Sequence, residues 1–148
     1  MRTLYLDSNI LIQLVEGQAN QFEGLQAVVD ALDSRKVLGV TSELTIAEVM
    51  VKPLASPISL YRREYEAILS ANSELRVAPV SRPILIRSAE LRAELGGKLA
   101  DGIHVSTAEL EGCAQFLTED RRVKLPSGLT ILRLAELPEF SQSIREGL

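Results

Sequence analysis

Thr3-Leu4-Tyr5-Leu6-Asp7-Ser8-Asn9-Ile10-Leu11-Ile12 passes from a short apolar run into a helical one, with a carboxylate at the junction. The apolar run has the length and character of a buried parallel strand. An acid that ends a strand and opens a helix stands where open parallel sheets build their sites, beyond the C-terminal ends of the strands. Aspartate is also a favoured helix N-cap. Ser8 can cap the same helix, which leaves Asp7 available for chemistry.

Outward from this junction the alternation continues. Thr3–Leu6 is the first strand, and Ser8 to about Glu16 a helix that Gly17 ends. Gln21 to about Ser34 places Phe22, Leu25, Val28, Val29 and Leu32 at three- and four-residue spacing, the pattern of an amphipathic helix. Val37–Val40 is a strand, and Ser42 to about Val51 a helix stopped by Pro53, with a loop over Pro53–Pro57. Ile58 to about Ala71 is predicted helical, with Leu60, Tyr61, Tyr65 and Leu69 on its apolar side. Leu75–Val80 is a strand, Arg82 to about Leu95 a helix broken by Gly96-Gly97, and Ala100 to about Gly112 another helix. Ala114–Leu117 and Leu129–Leu132 are the last strands, before a short helical tail. Short strands alternating with helices predict an α/β fold: three α/β/α layers around a mostly parallel five-stranded sheet.

With 148 residues, 46% of them hydrophobic and 24% charged, the chain is expected to form one globular domain spanning residues 1–148. No stretch approaches the ~20 apolar residues that span a bilayer, and the N-terminus does not read as a signal peptide. One cysteine, Cys113, excludes an intrachain disulfide framework and a cysteine-rich zinc site; it is expected as a buried helix residue. These features fit a cytoplasmic protein without a membrane partner. The net charge of −4 argues against a protein that simply coats nucleic acid. Cations do cluster locally, in Arg121, Arg122 and Lys124 directly after Asp120.

Three further acids lie in contexts like that of Asp7. Glu48 interrupts the almost wholly apolar Leu44-Thr45-Ile46-Ala47-Glu48-Val49-Met50-Val51. A carboxylate beside a buried face is costly unless paired; Lys52, one turn on, is the plain partner and a metal the sharper one. Asp101 opens a helix, where the dipole favours an anion. Asp120 follows Phe116-Leu117-Thr118-Glu119 at a strand end, and on an extended chain Glu119 points the other way. His104, the lone histidine, cannot build a histidine metal cluster and reads as a packing or supporting residue. No phosphate-cradling glycine loop and no Gly-x-Ser-x-Gly turn competes.

Leu6-Asp7-Ser8-Asn9-Ile10-Leu11, Thr45-Ile46-Ala47-Glu48-Val49, Leu99-Ala100-Asp101-Gly102-Ile103-His104-Val105-Ser106-Thr107-Ala108 and Phe116-Leu117-Thr118-Glu119-Asp120 resemble, in order and spacing, the four signature blocks of PIN-domain ribonucleases. The small size resembles the VapC-type toxins of toxin–antitoxin pairs. The resemblance implies a metal-dependent endoribonuclease in which Asp7, Glu48, Asp101 and Asp120 bind one or two Mg2+ or Mn2+ ions. Around them it implies supporting roles for Ser8, Asn9, Thr118 and His104, and RNA contacts from Arg121, Arg122 and Lys124. Hard oxygen donors suit those ions, which acidify water and offset phosphate charge, so no histidine or lysine base is required. A cognate antitoxin and a homodimer are further implications, with apolar surface near Met50–Pro57 and Ile58–Tyr65 to serve them. Gly102 departs from the helix-favouring residue common after the third acid and is expected to loosen that helix start; Ser106 is a milder departure. Two other readings stay open: a catalytically silent binding module with capping acids, and a metal-dependent DNA nuclease or phosphatase. The metal reading requires the four carboxylates to lie within a few ångströms of a common point.

Overall fold

The computed structural model describes residues 1–17, 22–71 and 74–147. Five parallel strands, β1 (Arg2–Leu6), β2 (Val37–Ser42), β3 (Leu75–Ala78), β4 (Gln115–Leu117) and β5 (Thr130–Leu132), form one sheet in the order β3-β2-β1-β4-β5. The helices are α1 (Ser8–Glu16), α2 (Phe22–Asp33), α3 (Leu44–Val49), α4 (Val51–Ala55), α5 (Arg62–Ile68), α6 (Arg82–Leu95), α7 (Leu99–Leu110) and α8 (Leu137–Arg145), with a 3-10 turn at Leu134–Glu136. Among the described residues no helix is long and apolar enough to cross a membrane.

Strand alternation explains the layers. Leu4 and Leu6 point into one core with Ile10, Leu11, Val28, Leu117 and Phe140, beneath α1, α2 and α8. Tyr5 points the other way, into a second core with Val40, Leu91, Val105 and Phe116, beneath α6 and α7. β1 is covered on both faces, which is why it reads as an uninterrupted apolar run. The sheet grows from β1 in both directions, through β2 to β3 and through β4 to β5. The ends of β1 and β4 therefore flank the point where strand order reverses, the usual crevice of such sheets.

Several boundaries differ from expectation. Ser42 belongs to β2, and the helix predicted from Ser42 to Val51 is two short helices that break at Met50. Pro53 does not stop it; it lies in the first turn of α4, where a missing N–H costs no helical bond. The expected start of the second helix, Gln21, lies outside the described residues. The helix expected from Ile58 starts only at Arg62, and Ile58 and Leu60 are 84% and 81% exposed, so they are surface and not core. Cys113 is buried but follows α7 and is not helical; burial, with Glu111 nearby, pushes its thiol up to about 12. Gly102 does not loosen α7, which begins three residues before it. A Cβ there would stand 2.6 Å from Ser88 Oγ and 3.0 Å from Arg92 Cγ, so glycine is what lets α6 and α7 approach.

Candidate functional site

Asp7 leaves the end of β1 with its backbone N–H on Leu117 O (3.0 Å), which ties the junction to β4. Its φ of −68° and ψ of 158° and its Oδ1, which accepts from Ser8 N at 2.8 Å, make Asp7 itself the N-cap of α1. The expectation that Ser8 takes over capping is corrected: Ser8 is the first helical residue. Capping occupies one oxygen only. Oδ2 accepts from Thr118 Oγ1 (2.7 Å) and Asn9 Nδ2 (3.1 Å), and Asn9 also bonds Thr118 Oγ1 and Glu119 N. Asn9 and Thr118 thus lock the ends of β1 and β4 into one rigid edge.

Beyond that edge, Asp120 donates its backbone N–H to Thr118 Oγ1 (3.0 Å). Its carboxylate accepts from the Arg122 backbone N–H and guanidinium, which hold its pKa below the usual range. Arg122 is therefore engaged with an acid at the site, while Arg121 and Lys124 are exposed nearby. Glu119 turns away and accepts from Leu134 N at 2.6 Å.

Asp101 occupies the first turn of α7. It accepts no hydrogen bond and forms no ion pair among the described residues. Burial, then the charges of Asp120 and Asp7, push its pKa up. Glu48 lies on the exposed side of α3, whose buried residues are Thr45 and Val49. The helix is less buried than its composition suggests, with Ile46 at 40% exposure, and Lys52 does not pair with Glu48. The partner is His104: its Nε2 is 2.5 Å from Glu48 Oε1 and 3.9 Å from Asp7 Oδ1, and its Nδ1 is 2.5 Å from the Tyr5 hydroxyl.

The acids border the end of β1 without closing on a point. Among the described residues no three Asp, Glu, His or Cys side chains are gathered at metal-ligation spacing. The reason is physical: in this arrangement His104 takes Glu48, Arg122 takes Asp120, and Asn9 and Thr118 take one oxygen of Asp7. Donor type and charge nevertheless fit a hard cation. The donors are carboxylate oxygens, and partnerless Asp101 faces like charges that a divalent ion relieves.

Two contributors escaped sequence reading. Tyr5 shares the face of Asp7 by period-two alternation, and a tyrosine in a buried strand needs a partner for its hydroxyl; that was the available signal. Arg133, whose Nη1 donates to Thr118 O (2.7 Å) and Asp120 O (3.1 Å), braces the turn that carries Asp120; nothing local marks it.

A family model described as PIN domain matches residues 4–128. No curated protein matches the chain significantly. Among solved structures, a toxin-antitoxin complex from Klebsiella pneumoniae is 28% identical, covering 85% of this chain and 94% of that one, with a TM-score of 0.61. FitAcB from Neisseria gonorrhoeae is 20% identical, with coverages of 89% and 98% and a TM-score of 0.63. VapBC2 from Rickettsia felis, solved with a promoter DNA fragment, is 18% identical, with coverages of 88% and 98% and a TM-score of 0.67. The last two establish likeness of fold.

Proposed function

The chain belongs to the PIN domain family, and from that premise we propose that it is a divalent-metal-dependent endoribonuclease, the toxin of a toxin–antitoxin pair. The observation that carries the reading is Asp101: a half-buried carboxylate without a hydrogen-bond partner among the described residues, its pKa raised by burial and then by the charges of Asp120 and Asp7. A divalent cation would relieve that repulsion.

Asp7, Glu48, Asp101 and Asp120 are the residues that would hold Mg2+ or Mn2+. When bound, such an ion offsets phosphate charge and acidifies water. The chain's own groups do the rest. Asn9 and Thr118 fix the Asp7 carboxylate. Arg133 and Thr118 fix the turn before Asp120. Arg121 and Lys124, exposed at one side, offer charge to a phosphodiester backbone and so bring RNA against the acids.

The toxin reading draws support from the Klebsiella complex and from an unpartnered apolar surface. Val51, Leu54, Ile58 and Leu60 are 59–84% exposed on and after α4, a face that a protein partner can cover.

The test compares cleavage of structured RNA, duplex DNA and a phosphate monoester, with and without Mn2+, by wild type and by Asp7→Asn and Asp101→Asn shown to be folded by circular dichroism. Metal-dependent RNA cleavage lost in both variants is expected, by about 100-fold or more, the scale on which electrostatic site groups act. Full activity in either variant sinks the reading. Preference for DNA or monoester redirects it to another phosphoryl substrate, and no metal uptake at millimolar concentration redirects it to a binding module.

A further inference from the structure

His104 is the chain's only histidine, and it is 1% exposed. Each ring nitrogen faces one group at hydrogen-bond distance: Nδ1 the Tyr5 hydroxyl and Nε2 the Glu48 carboxylate, both at 2.5 Å. A carboxylate only accepts, so Nε2 carries the hydrogen. Tyr5 is wholly buried, and its phenol, an O–H group, lies against Nδ1. The phenol therefore has a proton to donate to Nδ1. That assignment gives each ring nitrogen one hydrogen-bond partner.

Glu48 is the group this arrangement controls. It stands on the exposed side of a six-residue helix, with its side chain 32% exposed. Among the described residues no other hydrogen bond or ion pair holds its carboxylate. Left alone, a glutamate on such a face spreads over solvent rotamers. His104 instead draws it inward, to an imidazole that also lies 3.9 Å from Asp7 and sits one turn after Asp101 on α7.

We propose that Tyr5 and His104 form a positioning relay: the Tyr5 phenol, bonded to Nδ1, holds the His104 ring in place, and the Nε2–H holds one oxygen of Glu48 beside Asp7, leaving the other free for a divalent cation. His104 is a positioning residue and not itself a ligand. The inference rests on the acids taking a cation, as argued above. Ligand orientation by a neighbouring hydrogen bond is worth about 10–100-fold in metal affinity.

Two measurements on the full chain, without RNA, test it. Because there is one histidine, the imidazole nitrogen NMR spectrum reports His104 alone. Wild type should show the Nε2–H tautomer, and Tyr5→Phe a shifted Nδ1 resonance as the phenol's hydrogen bond is lost. Mn2+ titration calorimetry should show affinity about 10–100-fold weaker in His104→Leu. His104→Gln, whose amide N–H reaches the place of Nε2, should stay within a few-fold of wild type, and Tyr5→Phe should fall between. An Nδ1–H tautomer in wild type overturns the relay. So does a folded His104→Leu that binds Mn2+ like wild type, or, if that variant does not fold, a Tyr5→Phe with unchanged affinity. Wild type that takes up no Mn2+ overturns the cation reading and the relay with it; Mn2+ uptake indifferent to His104 overturns the relay alone.

Discussion

Asp101 and Asp120 show opposite electrostatic situations within one acidic cluster. Asp101 has its pKa raised by burial and like charges. In the window between its ordinary and raised values the native state holds more protons than the unfolded chain, so metal-free stability falls as pH rises through that window. Above it the penalty is complete. Asp101→Asn should therefore melt higher than wild type at neutral pH without metal, by roughly 0.5–1 kcal/mol once its partial exposure is allowed for; a lower melting temperature would contradict the electrostatic account. Asp120 has the reverse sign, because the backbone and guanidinium N–H groups of Arg122 depress its pKa. Its contribution is present above the ordinary carboxylate range and is lost as pH falls through the depressed value. Since the Arg122 side chain is 76% exposed, Arg122→Ala should barely move the urea midpoint at neutral pH.

Helices α6 and α7 approach closely at Gly102. Alanine there gains about 1 kcal/mol of helix propensity, but its Cβ meets Ser88 Oγ at 2.6 Å and Arg92 Cγ at 3.0 Å, a steric cost of roughly 1–3 kcal/mol. Ser88 Oγ is buried without a hydrogen-bond partner, so its removal costs little. Gly102→Ala alone should destabilise, and Gly102→Ala with Ser88→Ala should recover most of the loss. Urea-unfolding free energies in a double-mutant cycle measure the coupling; strictly additive effects would show that the close approach does not limit this position. The same packing matters to the site, since α7 carries both Asp101 and His104.

At the scale of the molecule, the acids belong to β1, α3, α7 and the turn after β4, so a cation bound among them ties the fold together. At ten times its Kd, Mn2+ should raise unfolding stability by about 1.4 kcal/mol in wild type and by much less in Asp7→Asn. Equal stabilisation of both would place the ion elsewhere. The exposed apolar face makes a second prediction. Ile58→Asp or Leu60→Arg should change stability by less than about 0.5 kcal/mol, because both residues already face solvent. The same changes should abolish capture of a co-expressed antitoxin; undiminished capture would place the partner on another face.

What could be read along the chain was whatever depends on near neighbours. The short apolar run Thr3–Leu6 and period 3.6 in the helices specify strand and helix, and from their alternation follow the parallel sheet and the strand ends that carry Asp7 and Asp120. The short-range break at Met50 and the exposure of Ile58 and Leu60 were not legible, because apolar composition does not say which face finds a partner. Contacts across the sequence were legible least. Tyr5 meets His104 across 99 positions and His104 meets Glu48 across 56, so no local pattern records them. Packing decided those meetings: α7 laid over the Tyr5 face of β1 brings the imidazole between two acids. The acids could be picked out from their local settings, but the bonding of Glu48 to His104 and of Asp7 to Thr118 spans the sequence and exists only once the sheet has assembled.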